Sequence, residues 1–263
     1  MRGVAGLETA RVGLVPSRPW RVGESPAGGL PRARIGHVPL DVGRLDEALR
    51  AIEGLVVRGQ GGHVLLPDVE HVVRAEHDET LRAALATADL SLAGGPSMIR
   101  AARRLGVPSL ALEPRVGAGW LPPLAALARE RAWRVVVVAD RPTLSEWAAG
   151  ALRDRYGLLA VGVAAPDVPA DGRGPRVDAL MDRIELTRPD LVWVSMETPK
   201  QELFCRYAAA RLQGAVLVGV GTAMDSLLDG RRGPRARGAL RSPWRWLRHQ
   251  LAILRVLALA RPT

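Results

Sequence analysis

From Ile35 onward the chain alternates continuous apolar runs with stretches of helical period, and no other feature narrows its fold so far. The runs are "HVLLP", "DLSLAGG", "WRVVVVA", "LLAVGVAAP", "DLVWVSM" and "AVLVGVG". Before the first lies "RLDEALRAIEGLVVRG", with Leu45, Leu49, Ile52 and Leu55 on one helical face. Between the others lie "VEHVVRAEHDETLRAALATA", read as one helix, "SMIRAARRLG", "TLSEWAAGALRDRYG", "GPRVDALMDRIELTR" and "TPKQELFCRYAAARLQG". A run that is apolar at every position is buried on both faces, as in a parallel sheet, and parallel neighbours need a crossover that a helix supplies. The fold class is therefore α/β, a mostly parallel sheet with helices on both faces. In such sheets ligands bind beyond the carboxyl ends of the strands. That directs attention to the segments after Leu66, Leu92, Ala139, Met196 and Val220.

Three divisions follow along the 263 residues. Residues 1–34 are rich in Gly, Pro and Arg without sustained period and read as a mostly disordered lead-in. Residues 35–230 carry the alternation. Residues 231–263 form a basic appendage: after Asp229 there is no acidic residue, yet Arg231, Arg232, Arg235, Arg237, Arg241, Arg245, Arg248, Arg255 and Arg261 follow, so nearly all of the net charge of +10 lies there. Within it Trp244, Leu247, Leu251, Leu254 and Leu257 recur at helical spacing. Such a helix suits a membrane interface, or a docked position on the sheet or on a partner subunit. No apolar run reaches the roughly 18–20 residues that span a bilayer. The start of the chain lacks the apolar stretch of a signal peptide, and a cytoplasmic location is expected.

Composition excludes several chemistries. The single Cys205 rules out an internal disulfide and a multi-cysteine metal site, and its apolar surroundings read as a packed thiol. The five histidines form no H-E-x-x-H pair, and no Asp-x-Asp stands ready to hold a metal against a nucleotide diphosphate. Neither metal nor cofactor is expected. The arginine tail alone suggests nucleic acid, but no interleaved stacking aromatics accompany it, and no nucleic-acid partner is expected.

The chain's only lysine, Lys200, lies in "METPKQELF". Thr198 as N-cap, Pro199 at the first helical position and Gln201 three residues after the cap make a capping box. The same helix start follows an apolar strand, where anionic ligands bind, so a purely structural and a ligand-binding role both stand. "VGVGTAMD" lacks the third glycine of a dinucleotide fingerprint and reads as a tight strand exit presenting Asp225. Gly94 and Gly95 in "AGGPS" permit close backbone approach, or simply turn the chain.

Taken in order, "ADLSLAGG…ARRLG", "EPRVG", "RPDLVWVSMETPKQE", "VGVGTAMDSLLDG", "RRGP" and "WRWLRHQ" resemble the WecG/TagA/CpsF glycosyltransferase family over roughly residues 35–257. The resemblance implies a Rossmann-like, inverting transferase that uses no metal. It implies an N-acetylhexosamine of the N-acetylmannosamine type, a UDP-sugar donor and a polyprenyl-diphosphate-linked acceptor, in cell-envelope polysaccharide synthesis. It also implies that the basic tail meets an anionic membrane surface, placing the protein at the inner face of the plasma membrane. Thr198, Lys200, Gln201, Glu202, Gly221, Asp225, Arg232, Arg248 and Arg255 are the implied site, with Gln201 nearest the chemistry.

The departures from the family pattern bear on activity. An aspartate taken as general base for the acceptor hydroxyl is replaced here by Gly94, beside Gly95. A further aspartate is replaced by Gly119, and a Thr-x-Asn by Leu66-Pro67-Asp68. A positioned base contributes about 10²–10⁴-fold. Asp68 is the candidate substitute base, whereas Asp89, at the opposite end of its strand, reads as structural. Two functions stay open, an active transferase and a lapsed module that binds UDP-sugar or lipid diphosphate. A homo-oligomer also stays open, since nothing in the sequence sets an interface.

Overall fold

The structure is a computed structural model. It describes residues 23–107, 118–169 and 171–224, together with 251, 254 and 255 in the tail. Six parallel strands form the central sheet: β4 (Gly62–Leu65), β5 (Leu90–Ser91), β6 (Arg134–Ala139), β7 (Leu159–Ala164), β8 (Leu191–Ser195) and β9 (Val216–Gly219). Their spatial order is β5-β4-β9-β8-β6-β7. Every residue of β8 and β9 is buried, and all of β6 except Arg134, as their unbroken apolar sequences require.

The crossover helices are α2 (Val69–Ala75) and α3 (Glu79–Ala86), then α4 (Pro96–Arg104), α5 (Leu121–Glu130), α6 (Pro142–Tyr156), α7 (Pro175–Leu186) and α8 (Lys200–Arg211); α1 (Leu45–Arg58) precedes the sheet. The step from β6 to β7 runs one way along the sheet, while β4 to β5, β7 to β8 and β8 to β9 run the other. Right-handed crossovers therefore put α6 on one face and α3, α7 and α8 on the opposite one. A contact agrees: the Tyr207 hydroxyl on α8 donates to Asp178 on α7. Local chemistry sets the ends. Prolines open α4, α6 and α7, and left-handed Gly59 and Gly157 close α1 and α6. On the edge strand β7, a Cβ at Gly162 would come 2.7 Å from the backbone of α6, so only glycine lets that helix lie so close.

The expected α/β, Rossmann-like sheet with helices on both faces is thus present, with three differences. First, residues 23–34, read as lead-in, contain β1 (Gly23–Glu24) and most of β2 (Pro31–Ile35); β2 pairs antiparallel with β1 on one side and with β3 (Val38–Asp41) on the other. This small sheet is fastened to β5. The Ser91 hydroxyl donates to Pro39 O at 2.7 Å, and Ser91 N donates to Asp41 Oδ2 at 2.6 Å. Second, the segment read as one helix is two. Asp78 accepts from Leu81 N at 2.9 Å and from the Thr80 hydroxyl at 2.7 Å, which ends α2 and caps α3. Third, α5 occupies "LPPLAALARE", a stretch to which the hydrophobic pattern assigned no element. No helix among the described residues is long and apolar enough to cross a membrane.

Candidate functional site

The exits of β4, β8 and β9 are neighbours, and a chain of buried polar side chains joins them. Gln201, in the first turn of α8, is 6% exposed. Its Oε1 accepts from Gly221 N at 2.9 Å and from Met196 N at 3.4 Å, and its Nε2 donates to Glu202 Oε1 at 3.0 Å. The two glycines of the β9 exit make room for this carboxamide. A Cβ at Gly219 would lie 3.0 Å from Gln201 Nε2, and Gly221, with φ +50°, begins the 3-10 turn Gly221–Met224. The Ser195 hydroxyl donates to Gly221 O at 3.0 Å, so the turn is held from both sides.

Glu202 passes the chain to His71. His71 Nε2 lies 3.2 Å from Glu202 Oε1 and 3.1 Å from the Thr198 hydroxyl, and Nδ1 lies 2.7 Å from Asp68 Oδ1. Asp68 is the N-cap of α2, and the same oxygen accepts from Glu70 N and His71 N. Burial opposes a charge on His71, but the two carboxylates outweigh it and push its pKa up to about 10. Asp68 N also lies 3.1 Å from Nδ1, closing the capping box of α2, so the ring is held by both the cap backbone and the two carboxylates. Burial likewise works against ionised Asp68, but the bonds and charge of His71 hold its carboxyl below the ordinary value.

This network carries a pH signature. A His pKa raised in the folded state contributes stability that is fully present below about 6.5 and is lost as pH rises through about 10. The unfolding free energy from urea titrations should fall from pH 7 to 9, by at most about 1.4 kcal/mol per pH unit. The buried Cys205 thiol, pushed well above 9.0 by burial and by Glu202, acts in the same direction only above that value. The decline below pH 9 should vanish in His71→Gln.

The other expected residues fall as follows. The Thr198–Gln201 capping box does not form: α8 begins at Lys200, Pro199 flanks it, and no side chain caps it. Thr198 is engaged with His71 and Gln201 with Gly221, partners brought by other strand exits. Lys200 Nζ donates to Asp167 Oδ1 at 2.8 Å, in the segment after β7. That exposed pair raises the lysine pKa and, in solvent, contributes little to stability. Its charge is directed to the β7 exit, away from the Gln201–His71 chain. Gly94 N donates to Pro67 O at 2.8 Å, and a Cβ at Gly94 would meet Leu66 O at 2.2 Å. Gly95, at the N-cap of α4, faces open space. Arg255 is exposed, and Asp225, Arg232 and Arg248 lie outside the described residues. Asp89 accepts from His63 N at 2.8 Å at the amino ends of β4 and β5, consistent with a structural role. Among the described residues no group of three or more His, Cys, Asp or Glu is arranged to hold a metal ion.

Sequence reasoning missed His71. The signal available was "PDVEH", where Asp68 caps a helix and a histidine occupies its third position, on a face otherwise buried through Val69, Val72 and Ala75.

In a Rossmann-like α/β domain ligands lie beyond the carboxyl ends of the strands, which is where this polar cluster sits. Residues 33–260 match the model of the glycosyl transferase WecG/TagA/CpsF family. The chain belongs to that family. Membership places it among glycosyltransferases of cell-envelope polysaccharide synthesis, with a nucleotide-sugar donor and an acceptor.

Proposed function

We propose that this protein transfers an N-acetylhexosamine of the N-acetylmannosamine type from a UDP-sugar to a polyprenyl-diphosphate-linked acceptor, inverting the sugar carbon without a metal. The observation that supports it most is the Gln201 carboxamide. Two backbone N–H groups and Glu202 fix its orientation, and among the described residues the structure gives no partner for the second N–H of Nε2 beside the Gly219–Gly221 cradle. A preorganised donor of this kind costs no reorganisation when charge develops on a leaving group. In this reading Gln201, Gly221, Asp225 and the open N-terminus of α4 at Gly95 receive the donor. Arg232, Arg248 and Arg255 bind diphosphate and hold the tail against the anionic inner face of the plasma membrane. Asp68 takes the acceptor proton through Oδ2, the oxygen that its helix cap leaves over, since its side chain is one-third exposed.

A second reading, a lapsed module that binds UDP-sugar or lipid diphosphate, is favoured by one observation. His71 holds the Asp68 carboxyl below its ordinary pKa and so weakens it as a base, while backbone fills the space over Gly94. The discriminating experiment incubates the protein with UDP-N-acetylmannosamine and a lipid-linked acceptor, beside calorimetry of UDP-sugar binding. Transfer should fall about 10²-fold in Gln201→Ala. Wild-type transfer no faster than that of the variant sinks the first reading, and binding without turnover establishes the second.

A further inference from the structure

We infer that His71 is a positioning residue for the sugar-donor site, a buried ring that pairs with the Glu202 carboxylate and thereby fixes the Gln201 carboxamide and the Gly221 turn. The inference deepens the glycosyltransferase reading and rests on it for the identity of the ligand, though not for the contacts themselves.

A carboxamide can sit in either of two orientations, and its neighbours choose between them. Here Gly221 N and Met196 N require an acceptor, so Oε1 faces them, and Nε2 must then face Glu202 Oε1. That arrangement needs Glu202 Oε1 as an acceptor. Yet Glu202 is 2% exposed, and its second oxygen, Oε2, is buried without a hydrogen-bond partner. A carboxylate so placed is costly to bury unless a cation accompanies it. The ion-pair partner the structure gives it is His71, at 3.2 Å. The charged or titratable groups around this pair are Asp68 at the cap of α2, Cys205 one turn along α8, and Arg74 on α2. Arg74 is engaged elsewhere, donating to Thr198 O at 3.0 Å and pairing with Asp78.

Without His71, the buried Glu202 carboxylate is left without its ion-pair partner and is no longer held in place. The acceptor that sets the carboxamide's orientation then shifts, and Gly221 N loses a fixed partner. The dependence is therefore on charge, not only on the volume of the ring. Replacing Glu202 by a neutral amide removes the need for a cation, so the two changes should offset one another.

Amide hydrogen exchange at Gly221, read in the ligand-free protein, tests this directly, with calorimetric titration of UDP-N-acetylmannosamine as a second readout. His71→Gln should speed exchange at Gly221 and weaken donor binding by about tenfold each, and adding Glu202→Gln should restore both to within about threefold of wild type. A merely structural role predicts that the double variant is worse than either single one, and that result overturns the inference. So does unchanged exchange in a folded His71→Gln. If His71→Gln does not fold, Asp68→Asn replaces it. That change keeps the capping oxygen but removes an anion that holds the imidazole charged, so exchange at Gly221 should rise several-fold, and no change overturns the inference. Absence of UDP-sugar binding in the wild type counts against the donor proposed above, while the exchange measurements still decide the role of His71.

Discussion

Gly94→Asp is expected to cost about 3 kcal/mol of stability and to add no transferase activity. The family pattern places an aspartate at this position, so the substitution looks like a repair. The structure shows why it is not one. The segment Leu66-Pro67-Asp68 crosses directly over Gly94, accepting Gly94 N–H on Pro67 O, and an added Cβ would lie 2.2 Å from Leu66 O and 2.9 Å from the carbonyl carbons of Leu66 and Pro67. All three atoms are backbone, so no rotamer change relieves the overlap. Even Gly94→Ala should show most of the loss, which separates the steric cause from the charge. The two departures from the family pattern, Gly94 and Leu66-Pro67-Asp68, are thus one feature: the strand exit of β4 occupies the space a side chain would need. Denaturant midpoints of the alanine and aspartate variants check this. A Gly94→Asp protein as stable as wild type would show that the β4 exit yields.

Arg32→Ala should destabilise the fold by about 3 kcal/mol at pH 7, and by less as the pH is lowered towards 5. Arg32 forms a fork with Asp41, at 2.6 and 2.7 Å, and also donates to Asp89 O at 3.1 Å. The Asp41 side chain is fully buried, and its Oδ2 additionally accepts Ser91 N. Burial already pushes the Asp41 carboxyl above its ordinary value, against the opposing pull of Arg32 and the Ser91 N–H. Without Arg32 the effect of burial stands almost unopposed, so the carboxylate must either stay charged at high cost or take up a proton. Lower pH favours the second course, which sets the sign. Because Asp41 fastens the antiparallel β1–β3 sheet to β5, exchange protection should be lost first at Ala33 and Leu40, which face each other across β2 and β3. A variant whose midpoint loss is independent of pH would show that Asp41 is not the group left unpaired.

Half of the candidate site is legible in the amino-acid sequence alone. "TPKQE" and "VGVG" mark two strand exits by their own composition, and a parallel sheet brings those exits to one end of the molecule. Lys200, the most conspicuous residue by composition, pairs with Asp167 on the β7 exit, while the inconspicuous His71 carries the link between β4 and β8. A histidine within "VEHVV" differs little from its neighbours in a hydrophobic pattern. What singles it out is Glu202, 131 positions away in sequence. The β1–β3 sheet escapes detection for another reason. Its strands are two to five residues long, in a Gly- and Pro-rich stretch, too short for a period of two to declare itself.

By itself, then, the sequence determined the alternation of buried strands and crossover helices, the end of the sheet where the candidate site lies, and the family. These rest on burial and turn chemistry, which each segment carries within itself. Only the tertiary structure decided that Gln201 serves Gly221 and not a helix cap, that His71 stands between Asp68 and Glu202, and that Gly94 lies under backbone. Such pairings depend on which strand exits the crossovers set side by side, and the order β5-β4-β9-β8-β6-β7 that does so is written in no single segment.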